Sequence, residues 1–339
     1  MPRRALLAIL LWLAGLSAGS AADFEDRVLS HIDYPDWFED SFLDLREDLA
    51  EAQAEGKRGL MVLFTTEGCS YCAEFIRRTL EDDAIAETVR SGFDAVGLEI
   101  FSDAEMIAPD GTELRVKDFA EREGAGFAPT LLFFGEGGEL LYRGVGYHDS
   151  ERFSKLLDYL MGGRYRQESF RDYLALQATS SEPAAAPYRM ATDPLFSAPP
   201  FALDRSRIPA QRPLLVIFET DGCADCASFH TDVLTLPEVR KLMADFEVVR
   251  LDARDTETPV IGPDGTRTTS ADWYAVTGMS RLPALLFFDE NGREVLRTDA
   301  LVLSQRMTNA LMYTLERAYE KQWTYQRFAR SKALERMQP

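Results

Sequence analysis

The stretch TTEGCSYCAEF, residues 65–75, places two cysteines three apart, directly after the apolar run GLMVLFTT (59–66) and at the start of a helix-like segment. A C-x-x-C pair serves as a redox couple, as half of a zinc site or as a structural disulfide. The four cysteines of the chain are Cys69, Cys72, Cys223 and Cys226, so the pair occurs twice.

The two pairs are offset by 154 residues, and the offset recurs along the chain. EGCSYCAEF (67–75) matches DGCADCASF (221–229), IAPDGTEL (107–114) matches IGPDGTRT (261–268), and APTLLFFGEGGEL (128–140) matches LPALLFFDENGRE (282–294). Tyr159 and Tyr165 align with Tyr313 and Tyr319. One slip to 153 occurs where FDAVGLEI (93–100) meets FEVVRLDA (246–253). This period far exceeds that of solenoid repeats, so a whole domain is duplicated.

Each copy reads as an apolar strand, the C-x-x-C, an amphipathic helix, a second strand and a turn centred on Pro-Asp-Gly. A further helix follows, then a loop ending in proline, the strand TLLFF or ALLFF, a glycine turn, another strand and a long helix. Strands alternating with helices imply an α/β fold, a sheet with helices on its faces. Residues 178–201 are rich in Pro, Ala and Ser and read as a semi-extended linker. The expected organisation is therefore residues 23–177 as domain 1, 178–201 as linker and 202–339 as domain 2.

Residues 1–22 carry Arg3 and Arg4, an apolar stretch from Ala5 to Leu16, and small residues ending in Ser20, Ala21 and Ala22. That is the layout of a secretory signal peptide, cleaved before Asp23. The apolar stretch is well short of the roughly 20 residues that span a bilayer. Cleavage removes two arginines and no acid, taking the formal charge from −19 to −21. The mature chain is expected to have no membrane span and to work in an oxidising compartment. Its strongly negative field argues against nucleic acid as a partner.

A zinc site made from two C-x-x-C pairs usually closes over about 15–20 intervening residues; here the pairs lie in separate copies, and no metal is expected. A disulfide over two intervening residues removes little chain entropy, which makes it a poor staple. A redox couple fits better. The first cysteine of each pair sits where a strand passes into a helix, whose free N–H groups stabilise a thiolate. The second can then resolve a mixed disulfide.

Strand, GCSYC or GCADC, helix and a later X-Pro at a strand start (FAPT, RLPA) together resemble the thioredoxin fold. The resemblance covers both copies. It implies two tandem thioredoxin-like domains, each with a central mixed sheet flanked by helices and a cis-proline opposite the CxxC. Pro129 and Pro283 are then the cis-prolines that position the substrate backbone, preceded by Ala128 and Leu282. Gly before the first cysteine, the Pro-Asp-Gly insertion and the tail YRQESFRDYL (165–174) are more similar to periplasmic SoxW-type and related bacterial thioredoxin-like proteins.

The family's buried aspartate is missing: its positions correspond to Leu63 and Ile217. Glu99 and Asp252, matched in the next strand, are candidate substitutes, with exposed carboxylates at strand ends as the favoured reading. Neither motif has the histidine of strongly oxidising relatives, which implies a reductase or isomerase rather than an oxidase. Tyr71, inside the first motif, reads as exposed, facing solvent or a bound peptide. Asp221 and Asp225 flank Cys223, and nearby carboxylates disfavour a thiolate. Cys69 is therefore expected to be the more acidic and reactive nucleophile. His148 and His230 read as unpaired, and the aromatics Tyr319, Trp323, Tyr325 and Phe328 as a cap on the second domain's own core.

The resulting expectation is a periplasmic thiol:disulfide oxidoreductase with catalytic Cys69, Cys72, Cys223 and Cys226, with Tyr71, Asp225, Glu99 and Asp252 as modulating residues. No cofactor is expected beyond the two redox-active disulfides. The expected partners are protein thiols and disulfides, with a membrane electron-relay protein supplying electrons. The alternative is a non-catalytic protein that binds a client or partner through the same domains, the second pair being vestigial.

Overall fold

The computed structural model describes residues 24–27, 29–178 and 188–337. The expected signal peptide, residues 1–22, lies outside them, as do residues 179–187 of the expected linker.

The first copy runs α1 (Leu45–Ala54), β1 (Gly59–Thr65), α2 (Ser70–Phe75), α3 (Asp83–Gly92) and β2 (Phe93–Glu99). Then come the hairpin β3 (Glu105–Ile107) and β4 (Glu113–Arg115), α4 (Val116–Arg122), β5 (Thr130–Phe134), β6 (Leu140–Val145), α5 (Ser150–Met161) and α6 (Phe170–Ala178). The sheet order is β2-β1-β5-β6. β1 is parallel to β2 and antiparallel to β5, so the sheet is mixed.

β1 is buried along its whole length because helices cover both faces of the sheet. Its side chains alternate between two cores. Met61 and Leu63 pack with Phe75, Val89 and Leu156 on the α2, α3 and α5 side. Leu60, Val62 and Phe64 pack with Leu45, Leu49 and Phe119 on the α1 and α4 side. Each such burial contributes about 1.5–3 kcal/mol, which makes the register of β1 unforgiving of a one-residue slip. Helix starts are set by local acids: Asp82 accepts from the amides of Ala84 and Ile85, and Asp149 from that of Arg152.

The second copy repeats this plan after a short strand, β7 (Phe201–Ala202): β8 (Leu214–Glu219), α7 (Ala224–Phe229), α8 (Pro237–Met243), β9 (Glu247–Asp252), β10 (Pro259–Ile261) and β11 (Arg267–Thr269). It ends with α9 (Ser270–Val276), β12 (Ala284–Phe288), β13 (Glu294–Thr298), α10 (Ser304–Leu315) and α11 (Tyr325–Met337). The sheet order is β9-β8-β12-β13, the counterpart of the first. Described residues 188–201 lie along the second domain: the Ser197 amide bonds the Val248 carbonyl, and Phe201 pairs with Val260 in β10.

Equivalent segments of the two copies face each other where the domains meet. Gly146 (φ +89°) has no room for a side chain, since a Cβ there would stand 2.1 Å from the Cβ of Ala300, its own counterpart at the 154-residue offset. Phe127 of domain 1 stacks on Tyr325 of α11 at 4.4 Å. Asp26 accepts from the backbone amides of Gln305 and Arg306, supplying α10 with a cap from a residue almost 280 positions away. Leu303, at the start of α10, has no side chain able to do this.

Candidate active site

Both cysteine pairs form disulfides, Cys69–Cys72 and Cys223–Cys226. In each, the first cysteine is the N-cap of the following helix. Cys69 Sγ accepts from the Cys72 amide at 3.1 Å, and Cys223 Sγ from the Cys226 amide at 3.0 Å. Once the disulfide is reduced, this amide and the helix terminus favour a thiolate on the first sulfur. Cys72 and Cys226 are fully buried, as the resolving partner of an exchange site should be.

The Ala128–Pro129 and Leu282–Pro283 bonds are both cis. Ala128 belongs to the same buried cluster as Cys69 and Cys72, so the start of β5 borders the first motif. Leu282 and Pro283 line a groove of about 410 Å³ together with Asp225 of the second motif. Among the described residues no three His, Cys, Asp or Glu side chains are grouped to hold a metal ion.

The two sites differ in access. Cys69 is 7% exposed and opens into a cavity of about 350 Å³ whose opposite wall is made by α10 and α11 of domain 2. Arg306 Nη2 donates to the Ala128 carbonyl at 2.9 Å, and the Ala128 amide donates to Gln326 Oε1 at 3.2 Å. Cys223 is only partly buried. In the mirrored contact, Arg281 Nη1 donates to the Tyr147 carbonyl at 3.2 Å, and Arg152, the counterpart of Arg306, donates to the Ser280 hydroxyl. Among the described residues no hydrogen bond from domain 1 reaches the Leu282 amide or carbonyl.

Tyr71 is not exposed. It is 5% accessible, donates to Asp26 Oδ2 at 2.8 Å and accepts from the Leu303 amide at 3.0 Å. The Arg306 guanidinium lies 3.4 Å from its ring centroid. Burial pushes the Tyr71 hydroxyl well above its ordinary range, with Arg306 opposing. The expectation failed because the covering groups belong to the other copy, which local sequence does not reveal.

Asp225 is held by Arg281, whose Nε lies 3.1 Å from Oδ2. Asp221 is bonded by the Met190 amide and the Arg189 guanidinium, which hold its carboxyl below the usual range. Both carboxylates that were expected to restrain Cys223 thus have arginine partners. Glu99 lies at the half-exposed end of β2, accepting from the Thr66 hydroxyl and the Phe101 amide. Asp252, at the end of β9, accepts from the Arg254 amide. These are the contacts of strand-end carboxylates.

A buried carboxylate does exist near the second motif, at a position the sequence reading passed over. Glu219 closes β8, is fully buried and points to the same face as Leu215 and Ile217, one pleat nearer the cysteines than Ile217. It accepts from the Tyr188 hydroxyl at 2.7 Å and lies 2.9 Å from His230 Nε2, with Arg250 at 4.0 Å. His230 follows Cys226 by four residues, one turn further along the same helical rod. His230 is therefore paired, contrary to expectation. The other histidine is also bonded: His148 Nδ1 contacts the Gly146 carbonyl at 3.0 Å and Nε2 the Tyr142 hydroxyl at 3.3 Å.

The signal for Glu219 was available in the 154-residue offset. Domain 1 has Tyr34, Thr65 and Ile76 where domain 2 has Tyr188, Glu219 and His230. In domain 1 the same tyrosine bonds the Thr65 hydroxyl at 2.6 Å. The aromatics Tyr319, Trp323, Tyr325 and Phe328 do join the second domain's core, and Phe127 of domain 1 packs into it as well.

Among solved structures, a thioredoxin-fold protein from Helicobacter pylori is 19% identical, covering 36% of this chain and 85% of its own, with a TM-score of 0.31. A thioredoxin from Thermus thermophilus is 26% identical, covering 35% and 84%, with a TM-score of 0.28. A disulphide isomerase from Xylella fastidiosa is 14% identical, covering 44% and 99%, with a TM-score of 0.25. No curated protein matches the chain in sequence. The thioredoxin-like domain family matches twice, over residues 45–161 and 204–315, each match enclosing one C-x-x-C and one cis-proline. With most of its length inside those two matches, the chain belongs to the thioredoxin-like domain family.

Proposed function

We propose that this protein is an exported thiol:disulfide oxidoreductase that reduces or isomerises disulfides of periplasmic proteins. One observation carries the reading. In each copy a cysteine N-caps a helix, its partner is buried three residues on, and a cis-proline begins the neighbouring strand. In the reduced enzyme the Cys69 thiolate attacks one sulfur of a substrate disulfide and expels the other as a thiolate. Cys72, having lost its proton, then attacks Cys69 Sγ, releasing the second substrate thiolate and closing Cys69–Cys72. Two electrons pass to the substrate, and each released thiolate takes up a proton. Cys223 and Cys226 act in the same way in domain 2, with Pro129 and Pro283 placing the substrate chains. Electrons return from a membrane relay, and the signal-like residues 1–22 direct export.

Turnover of insulin disulfides tests this. The wild type should reduce insulin, and Cys69→Ser and Cys223→Ser should each remove the activity of one site. Equally low turnover in all three favours the rival reading, a non-catalytic client-binding protein, which draws support from the enclosure of Cys69.

A further inference from the structure

We propose that Arg306 and Gln326 of domain 2 act as a built-in lid on domain 1, occupying the backbone edge that an incoming peptide needs to reach Cys69. An extended peptide binds at a strand end by pairing its own N–H and C=O with free backbone groups there. At the start of β5 those groups are the Ala128 amide and carbonyl. Both are already satisfied, the amide by a side-chain carbonyl (Gln326 Oε1) and the carbonyl by a side-chain N–H (Arg306 Nη2). One acceptor and one donor, side by side, reproduce what a peptide strand would offer.

The lid is anchored rather than merely in contact. Arg306 is 5% exposed, stacks on Tyr71 between the two cysteines of the motif, and is the third residue of α10, its own amide donating to the capping Asp26. Gln326 is 8% exposed, and α11 continues from it along the Cys69 cavity through Ala329, Arg330 and Ala333. A folded client cannot reach Cys69 past this wall. A peptide can do so only by displacing two hydrogen bonds, so the first site selects segments able to compete as extended strands. Among the described residues, no hydrogen bond from domain 1 covers Leu282 in this way at the second site. Resting on the thiol-exchange reading, the proposal makes domain 2 both a catalyst and the gate of domain 1.

The test uses the full chain carrying Cys223→Ser and Cys226→Ser, reduced, with alkylation of Cys69 and Cys72 by iodoacetamide followed separately by mass spectrometry. Gln326→Ala and Arg306→Met should each speed Cys69 alkylation about fivefold, the equilibrium shift expected from removing one hydrogen bond that holds the closed state. Cys72 alkylation should stay slow. An unchanged Cys69 rate in both variants overturns the lid, and so does a parallel rise at Cys69 and Cys72, which marks unfolding. Gln326→Ala keeps the test decisive if Arg306→Met fails to fold. Exchange with a disulfide-bonded peptide, measured alongside, addresses the catalytic reading: faster alkylation with no peptide exchange keeps the lid and removes the oxidoreductase.

Discussion

The two C-x-x-C sites share one plan and differ in what surrounds it. At the first, the motif is roofed by the other domain, and the strand end beneath it is lined by Tyr34, Thr65 and Ile76. At the second, Asp225 of the motif borders a groove, and the same three positions hold Tyr188, Glu219 and His230. Duplication supplied two equal frames. In the first, Cys69 is buried and a neutral hydrogen bond joins the tyrosine and threonine; in the second, Cys223 is partly exposed and a buried, hydrogen-bonded Glu219 closes the strand before the motif.

The sharpest way to break this comparison is at the contact that brings the domains together. Gly146→Val puts a branched side chain on a left-handed backbone and into Ala300. It should cost about 3 kcal/mol in combined strain and overpacking. Its expected signature is faster hydrogen exchange at Ala128 and faster Cys69 alkylation. Unchanged exchange at Ala128 would mean that Gly146 does not hold the interface.

Acid should also separate the domains' behaviour. Burial, aided by the nearby Arg152 charge, holds His148 neutral and lowers its pKa to about 3. Its counterpart is Val302, which does not titrate. Between about pH 6.5 and pH 3 the unfolded chain binds a proton at this residue that the folded chain refuses. Domain 1 should therefore lose about 1.4 kcal/mol per pH unit across that window as the pH falls, with the loss levelling off below it. Urea unfolding of wild type and His148→Gln, resolved by domain with hydrogen exchange, should show the variant flatter by one proton in domain 1. Equal slopes would show that His148 is reached by water.

The smallest expected effect concerns the strand ends. Tyr188→Phe leaves a buried Glu219 oxygen without its hydroxyl donor and should cost domain 2 about 1–3 kcal/mol. Tyr34→Phe removes only a neutral bond to Thr65 and should cost domain 1 about 1 kcal/mol. Denaturant midpoints for the two variants test the difference, and equal losses would mean that the buried Glu219 bond is worth no more than its counterpart at Thr65.

Much of the site was legible beforehand because it is local. The N-cap position of Cys69, the Pro-Asp-Gly turn with Gly111 at φ +83° and the proline at the start of β5 all follow from spacings of a few residues. Misreadings came where a side chain's surroundings are supplied from afar. Tyr71 reads as solvent-facing until Leu303 and Arg306 cover it. Asp225 reads as a free charge until Arg281, 56 residues on, pairs with it. Glu219 lies one pleat beyond Ile217, the position that matches the family's aspartate, and only the difference from Thr65 in the other copy marks it.

By itself, then, the sequence determined the duplication, the alternation of strands and helices and the placing of each cysteine pair at a helix start, since periodicity and short spacings govern those. The docking of one copy on the other was decided only in three dimensions. Arg306 and Gln326 lie 178 and 198 residues from Ala128, and hydrogen bonds over such separations have no local pattern by which they can be read.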